Sequence, residues 1–171
     1  MVAKDELTLA ILAGGRATRL GGIDKGSLRC EGRTLMERLL DLRSLCAETL
    51  VVREDVVPGK GTPGGVVTAL TQAKTPWVLM VCCDMPHVTC HAVSALTFAA
   101  QGDVTTFSDE PFPGLYQSAL AAQWRARLDD NPSMNALIRS VARGQASCAD
   151  PRWVRSVNTM EDARALNVEI P

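Results

Sequence analysis

The sequence carries almost no net charge. Its 18 Lys and Arg against 19 Asp and Glu leave −1, so no overall field draws the protein to a polyanion such as DNA or presses it onto a membrane surface. An anionic ligand has to be met locally. Long apolar runs are also missing: the longest, Trp77 to Cys83, falls far short of the roughly 20 residues a spanning helix needs. The opening MVAKDELTLAILAGG has no basic leader and no small-residue cleavage site, which predicts a cytoplasmic protein. Aromatic residues make up 4% of the chain, and Trp77, Trp124 and Trp153 lie too far apart in it to form a stacking platform for single-stranded nucleic acid. The six cysteines (Cys30, Cys46, Cys82, Cys83, Cys90 and Cys148) include no CxxC pair, so reduced and mostly buried thiols are expected. There is no internal repeat or low-complexity tract. What remains is 171 residues, 46% of them hydrophobic. That is enough for one domain over residues 1–171 with its own core, needing no disulfide or structural metal.

The pattern that organises the chain is alternation. Leu7 to Ala13 is a compact apolar run that breaks at Gly14 and Gly15, as a buried strand does at its carboxyl end. Thr34 to Cys46 then places Leu35, Leu39, Leu42 and Cys46 at helical spacing. The same alternation predicts strands at Thr49–Arg53, Trp77–Cys83, Asp103–Phe107, Leu115–Leu120 and Val154–Val157. It predicts helices at Gly65–Lys74, Cys90–Ala100, Ala121–Asp129, Met134–Arg143 and Glu161–Leu166. Strands apolar throughout, separated by amphipathic helices, imply an α/β fold: a three-layer α/β/α sandwich with a Rossmann-like, mostly parallel sheet. The stretch Asp109–Leu120 breaks the rhythm and suits an antiparallel strand. In such sheets ligands bind beyond the carboxyl ends of the strands, which directs attention to the loops 14–25, 54–65 and 84–88.

The first of these, LAGGRATRLGGIDKGSL, concentrates glycines, two arginines and a lysine directly after a buried strand. Glycines let backbone N–H groups approach an anion, and Arg and Lys supply the charge a phosphoryl transition state needs. The string lacks the terminal GK[ST] of the Walker loop and does not fit GxGxxG. Glycine-rich strand ends also serve as plain surface turns. Asp84, at the end of WVLMVCCDMP, leaves its strand toward the ligand edge as either a metal ligand or a helix cap. Asn158 or Thr159, followed by Glu161 and Asp162, makes a good helix start. The cluster CCDMPHVTCH is a poor zinc site, because its first two cysteines are expected on opposite faces of one strand. His87 is expected to face solvent.

The string LAGG, Arg19, Leu20-Gly21-Gly22, Asp24-Lys25 resembles LAGGxSxRMGxDK, the signature of the molybdenum cofactor guanylyltransferases within the nucleotidyltransferase superfamily. Ala17, Thr18 and Leu20 are mild departures. Cys83-Asp84-Met85-Pro86 matches the family's CDxP motif, Asp55 before a Gly-Pro-rich turn matches a nucleotide-contacting aspartate, and SVNTMEDARAL is similar to VNTPEDL. Ser156 stands where the relatives have a second asparagine. The strand and helix that relatives carry between Val52 and Gly64 are absent. EPFPGLYQSAL is similar to a family strand through Pro113 and Tyr116, a scaffold element.

The resemblance implies transfer of GMP from GTP to molybdopterin, with pyrophosphate released. In it Leu12, Ala13, Gly14 and Gly15 hold the nucleotide, Arg19 and Lys25 neutralise the triphosphate, and Asp84 binds Mg²⁺. Asp55 contacts the nucleotide, and Asn158 lies on the side of the second substrate. A molybdoenzyme or a chaperone is the expected recipient of product. The alternatives are a related cytidylyl- or sugar-phosphate nucleotidyltransferase, or a non-catalytic nucleotide-binding adaptor of the same fold.

Overall fold

A computed structural model of the protein describes residues 1–14 and 23–170. The opening apolar run forms β1 (Leu7–Leu12), in which every residue from Leu7 to Ile11 is buried, including Thr8. A strand can bury both alternating sets of side chains only if both faces of its sheet are covered. β1 lies between β4 (Glu48–Val52) and β5 (Trp77–Cys82), parallel to both. Beyond β5 come β7 (Glu110–Gln117), β6 (Val104–Phe107) and β8 (Arg143–Ala146), giving the order β4-β1-β5-β7-β6-β8. β7 runs antiparallel to both of its neighbours, and β6 pairs with β8 in parallel. The expected break in rhythm after Asp109 is therefore this one reversed strand in a mostly parallel sheet. Helices α2 (Gly61–Gln72), α3 (Cys90–Phe98), α4 (Leu120–Arg125) and α5 (Met134–Arg139) pack over the sheet to complete the three layers.

Register fixes where the loops collect. Leu12 pairs with both Val52 and Cys82, so the three parallel strands end level. The chain leaves β1, β4 and β5 at one edge of the sheet.

A second, smaller sheet stands apart from the first. β2 (Arg29–Cys30) pairs antiparallel with β3 (Arg33–Thr34) and with β9 (Val168–Glu169). With α1 (Leu35–Leu40) and α6 (Met160–Ala165) it encloses its own core of Leu28, Cys30, Leu35, Val157, Ala163, Leu166 and Val168. Each fully buried Leu or Val contributes on the order of 1.5–3 kcal/mol. This core joins residues 28–35 to residues 157–168, a connection no local pattern announces.

Three expectations need correction. Val154–Val157 is not a strand: Asp150 accepts a hydrogen bond from Arg152 N and Pro151 opens a 3₁₀ turn over Pro151–Val154. Proline with φ already set, behind an aspartate cap, favours that turn over extension. The helix expected to reach Arg143 stops at Arg139, and Arg143–Ala146 becomes β8, whose Gly144 sits too close to Gln101 O for any side chain. The long helix Thr34–Cys46 holds α-geometry only through Leu40 and tightens to 3₁₀ over Asp41–Leu45. Its buried face at Leu35, Leu39, Leu42 and Cys46 is as the spacing requires.

Candidate nucleotide-transfer site

The level ends of β1, β4 and β5 open into a cleft of about 390 Å³. Leu12, Gly14, Lys25, Asp55, Asp84 and Asn158 all border it. The expected residues that lie among those described are therefore brought together, apart from Ala13. Ala13 N–H donates to Val52 O, and Cys83 N–H donates to Leu12 O, so these two backbone groups are engaged in extending the sheet. Gly15 and Arg19 lie outside the described residues.

Gly14 has a steric reason to be glycine. A Cβ there would stand 2.9 Å from Arg53 O, a backbone atom that cannot step aside. The chain leaving β1 is thus pressed against the chain leaving β4.

Lys25 opens a short 3₁₀ turn (Lys25–Ser27) whose cap is Asp24, its Oδ1 accepting from Gly26 N at 2.9 Å. Lys25 Nζ donates to Asp84 Oδ2 and to Asn158 Oδ1, each at 2.7 Å. The Lys25 and Asp84 side chains are only 17% and 12% exposed, so their attraction is less screened than that of a surface pair. Asp84 is held from behind, its carbonyl accepting from Val157 N at 2.9 Å. It caps no helix, since Thr89 Oγ1 takes that role for α3. Asp84 Oδ1 is buried and has no hydrogen-bond partner among the described residues. A buried carboxylate oxygen without a donor suits a cation.

Asn158 and Thr159 divide the work the sequence left open. Thr159 caps α6 in a reciprocal box with Asp162. Asn158 is left to face the cleft, and its Nδ2 donates to Ser156 Oγ at 2.9 Å. Ser156 orients that amide, a contact two residues upstream that no spacing rule singles out.

Asp55 sits beside the first turn of α2. Burial raises its carboxyl above the ordinary value of 3.8. A Cβ on Gly64 would lie 3.0 Å from Asp55 Oδ2, and one on Gly65 would lie 3.4 Å from Oδ1. The glycine pair is what allows the carboxylate so near the helix.

Cys82 and Cys83 both border the cleft. β5 ends at Cys82, so Cys83 stands in the turn that follows rather than on the same strand, and it is buried in the core. Burial, with Asp84 nearby, pushes the Cys83 thiol up to about 12 and the Cys82 thiol well above its usual range. Both are protonated at neutral pH and poor nucleophiles or metal ligands. No group of three or more His, Cys, Asp or Glu clusters for a metal among the described residues. His87, expected in solvent, is half-buried, with Nε2 3.0 Å from Leu166 O. Arg38 also eluded the sequence reading: its Nε donates to Pro86 O at 3.2 Å and buttresses the loop after Asp84. A second depression of about 370 Å³ opens beside Asn135, Arg139 and Arg143 and contains none of these groups.

Over residues 9–150 the sequence matches the family described as the MobA-like NTP transferase domain. It is 36% identical to a probable molybdenum cofactor guanylyltransferase of Chloroflexus aggregans, over 84% of this chain and 77% of that one. It is 29% identical to the molybdenum cofactor guanylyltransferase of Serratia proteamaculans, over 92% of each. Its fold is similar to the crystal structure of molybdopterin-guanine dinucleotide biosynthesis protein A from Archaeoglobus fulgidus, with a TM-score of 0.73 at 19% identity over 94% of this chain and 97% of that one. With a cleft at the strand ends that faces a lysine, an aspartate and an asparagine toward one another, the chain belongs to the MobA-like NTP transferase domain family.

Proposed function

We propose that the protein transfers GMP from GTP to molybdopterin, forming molybdopterin guanine dinucleotide and pyrophosphate. The observation that carries this reading is the meeting of Lys25, Asp84 and Asn158 at 2.7 Å in one cleft. In the reaction a terminal phosphate oxygen of molybdopterin attacks the α-phosphorus of GTP, and the bond from that phosphorus to the β-phosphate oxygen breaks. The nucleophile is already ionised at neutral pH, so no general base is needed. Catalysis then rests on positioning and charge neutralisation.

Asp84, with its donor-free Oδ1, is the residue that would hold Mg²⁺; hard carboxylate oxygen, substrate phosphates and water are the ligands this ion prefers. Bound there, the ion supplies neutralisation of the triphosphate. Lys25 and Arg19 stabilise the charge that gathers on the departing pyrophosphate. Leu12, Gly14 and Gly15 line the nucleotide, Asp55 accepts hydrogen bonds from it, and Asn158 faces the pterin side. The reaction belongs to the cytoplasm, with a molybdoenzyme or chaperone as recipient of the product.

Pyrophosphate release from GTP in the presence of molybdopterin and Mg²⁺ is the test. Turnover with GTP and none with CTP is expected, and Lys25→Ala should lose at least about a hundredfold, the scale of removing one transition-state charge partner. CTP used in preference to GTP would reassign the base, and no pyrophosphate from either would make the protein an adaptor.

A further inference from the structure

The loop that carries Asp55 is short and mostly exposed, yet its carboxylate must be presented at a fixed depth in the cleft. Among the described residues, two side-chain ties hold the loop. One is Lys60, whose Nζ lies 3.3 Å from both Asp129 Oδ1 and Asn131 Oδ1. Asp129 is 94% exposed, so this tie is long, solvated and weak. The other is Thr68, on the second turn of α2 and only 1% exposed. Its Oγ1 donates to Gly64 O at 2.8 Å, and the same oxygen accepts from Val56 N at 2.9 Å. The first bond fixes the hydroxyl's rotamer. The second uses the oriented lone pair to anchor the residue directly after Asp55.

We infer that Thr68 is a positioning residue for nucleotide binding, acting through Val56 to hold the Asp55 carboxylate over Gly64 and Gly65. Thr68 touches no substrate: it is buried and does not border the cleft. Its effect is preorganisation. A loop fixed before the ligand arrives does not have to be ordered on binding, so its loss weakens ground-state affinity and leaves the chemical step at Lys25 and Asp84 untouched. The inference rests on the proposed role of Asp55 and adds the reason a loop lacking the strand and helix found in relatives still presents that residue in one place.

Thr68→Val keeps the shape and removes the hydroxyl; Thr68→Ser keeps the hydroxyl and removes a methyl. KM for GTP and kcat are measured for the wild type, for both variants, for Asp55→Ala, and for Thr68→Val combined with Asp55→Ala. Folding is followed by circular dichroism. The expected result is a KM for GTP raised about tenfold in Thr68→Val, with kcat within about twofold of the wild type. Thr68→Ser should return most of the affinity, and Thr68→Val should add nothing once Asp55 is already alanine. An unchanged KM in Thr68→Val, or an equal rise on both backgrounds, overturns the inference. A wild-type KM in Asp55→Ala overturns the role of Asp55 instead. If Thr68→Val fails to fold, the comparison of Thr68→Ser with Thr68→Ala decides: equal KM values for those two overturn the positioning role, and a higher KM in the alanine variant upholds it.

Discussion

Replacing Lys25 by methionine keeps most of its length and removes its charge, and the cost follows from what the ammonium touches. In the wild type Lys25 Nζ donates to Asp84 Oδ2 and to Asn158 Oδ1 at 2.7 Å each, while Asp84 Oδ1 has no donor among the described residues. Methionine therefore leaves a nearly buried carboxylate with neither oxygen satisfied by the groups described. Breaking a fully buried pair from one side costs about 3–5 kcal/mol. The Asp84 side chain is 12% exposed and opens on a cleft, so water recovers part of that and about 2–3 kcal/mol is expected. Asp84→Asn is milder, at about 1–2 kcal/mol, because the amide oxygen still accepts from Lys25 and Asn158 still faces it. The double variant has no unpaired charge. It should be less destabilised than the sum of the singles by about 1–2 kcal/mol, a coupling of the size expected for residues in direct contact. Urea unfolding of the four proteins at neutral pH, without nucleotide or Mg²⁺, measures this cycle. Losses that add to within about 0.5 kcal/mol would show that the two groups do not meet.

Other consequences are independent of that pair. Gly14→Ala forces a Cβ to 2.9 Å from Arg53 O, and a loss of about 1–3 kcal/mol in urea unfolding is expected for such overpacking; a neutral substitution would mean the two loops are not pressed together. Because burial raises the Asp55 carboxyl, the folded chain holds that proton more tightly than the unfolded chain. Its contribution to stability therefore falls as pH rises through its unfolded and then its folded value. Asp55→Asn should be more stable than the wild type at pH 7 and equal to it in acid, while binding GTP more weakly; thermal unfolding across pH checks the sign. The thiols of Cys82 and Cys83 are held protonated, so iodoacetamide at pH 8 should modify the exposed Cys90 far faster than either, read by peptide mass spectrometry. Equal rates would refute the burial argument.

The fold was largely legible because its strongest signals are local. A strand buried on both faces must be almost wholly apolar, and β5 and, Thr8 apart, β1 are; a covering helix must show one apolar face, and the segment from Leu35 to Cys46 does. What escaped was short or polar. Arg143–Ala146 has no hydrophobic alternation, and becomes β8 because its backbone completes the ladder beside β6. Arg29–Cys30, Arg33–Thr34 and Val168–Glu169 are pairs of residues too brief to show a period. The site divides in the same way. Gly14 and Asp84 stand out by residue type just past strand ends and Lys25 by its charge in a glycine-rich segment, whereas Ser156 acts through a side-chain contact to Asn158, and Thr68 and Arg38 through the backbone of Val56 and Pro86.

Residue order alone determined that a glycine-rich segment follows the first strand, that an aspartate closely follows the third strand of the parallel set, and that the chain leaves both strands at one edge, since parallel strands joined by helices must all point the same way. Tertiary structure alone decided that Lys25 and Asn158, 133 positions apart, share a proton donor and its acceptor. The small core around Leu28, Leu35, Val157 and Leu166 joins the segments bearing these two residues. The burial that drives this is proportional to area and indifferent to sequence separation, so it leaves no periodic mark in the chain.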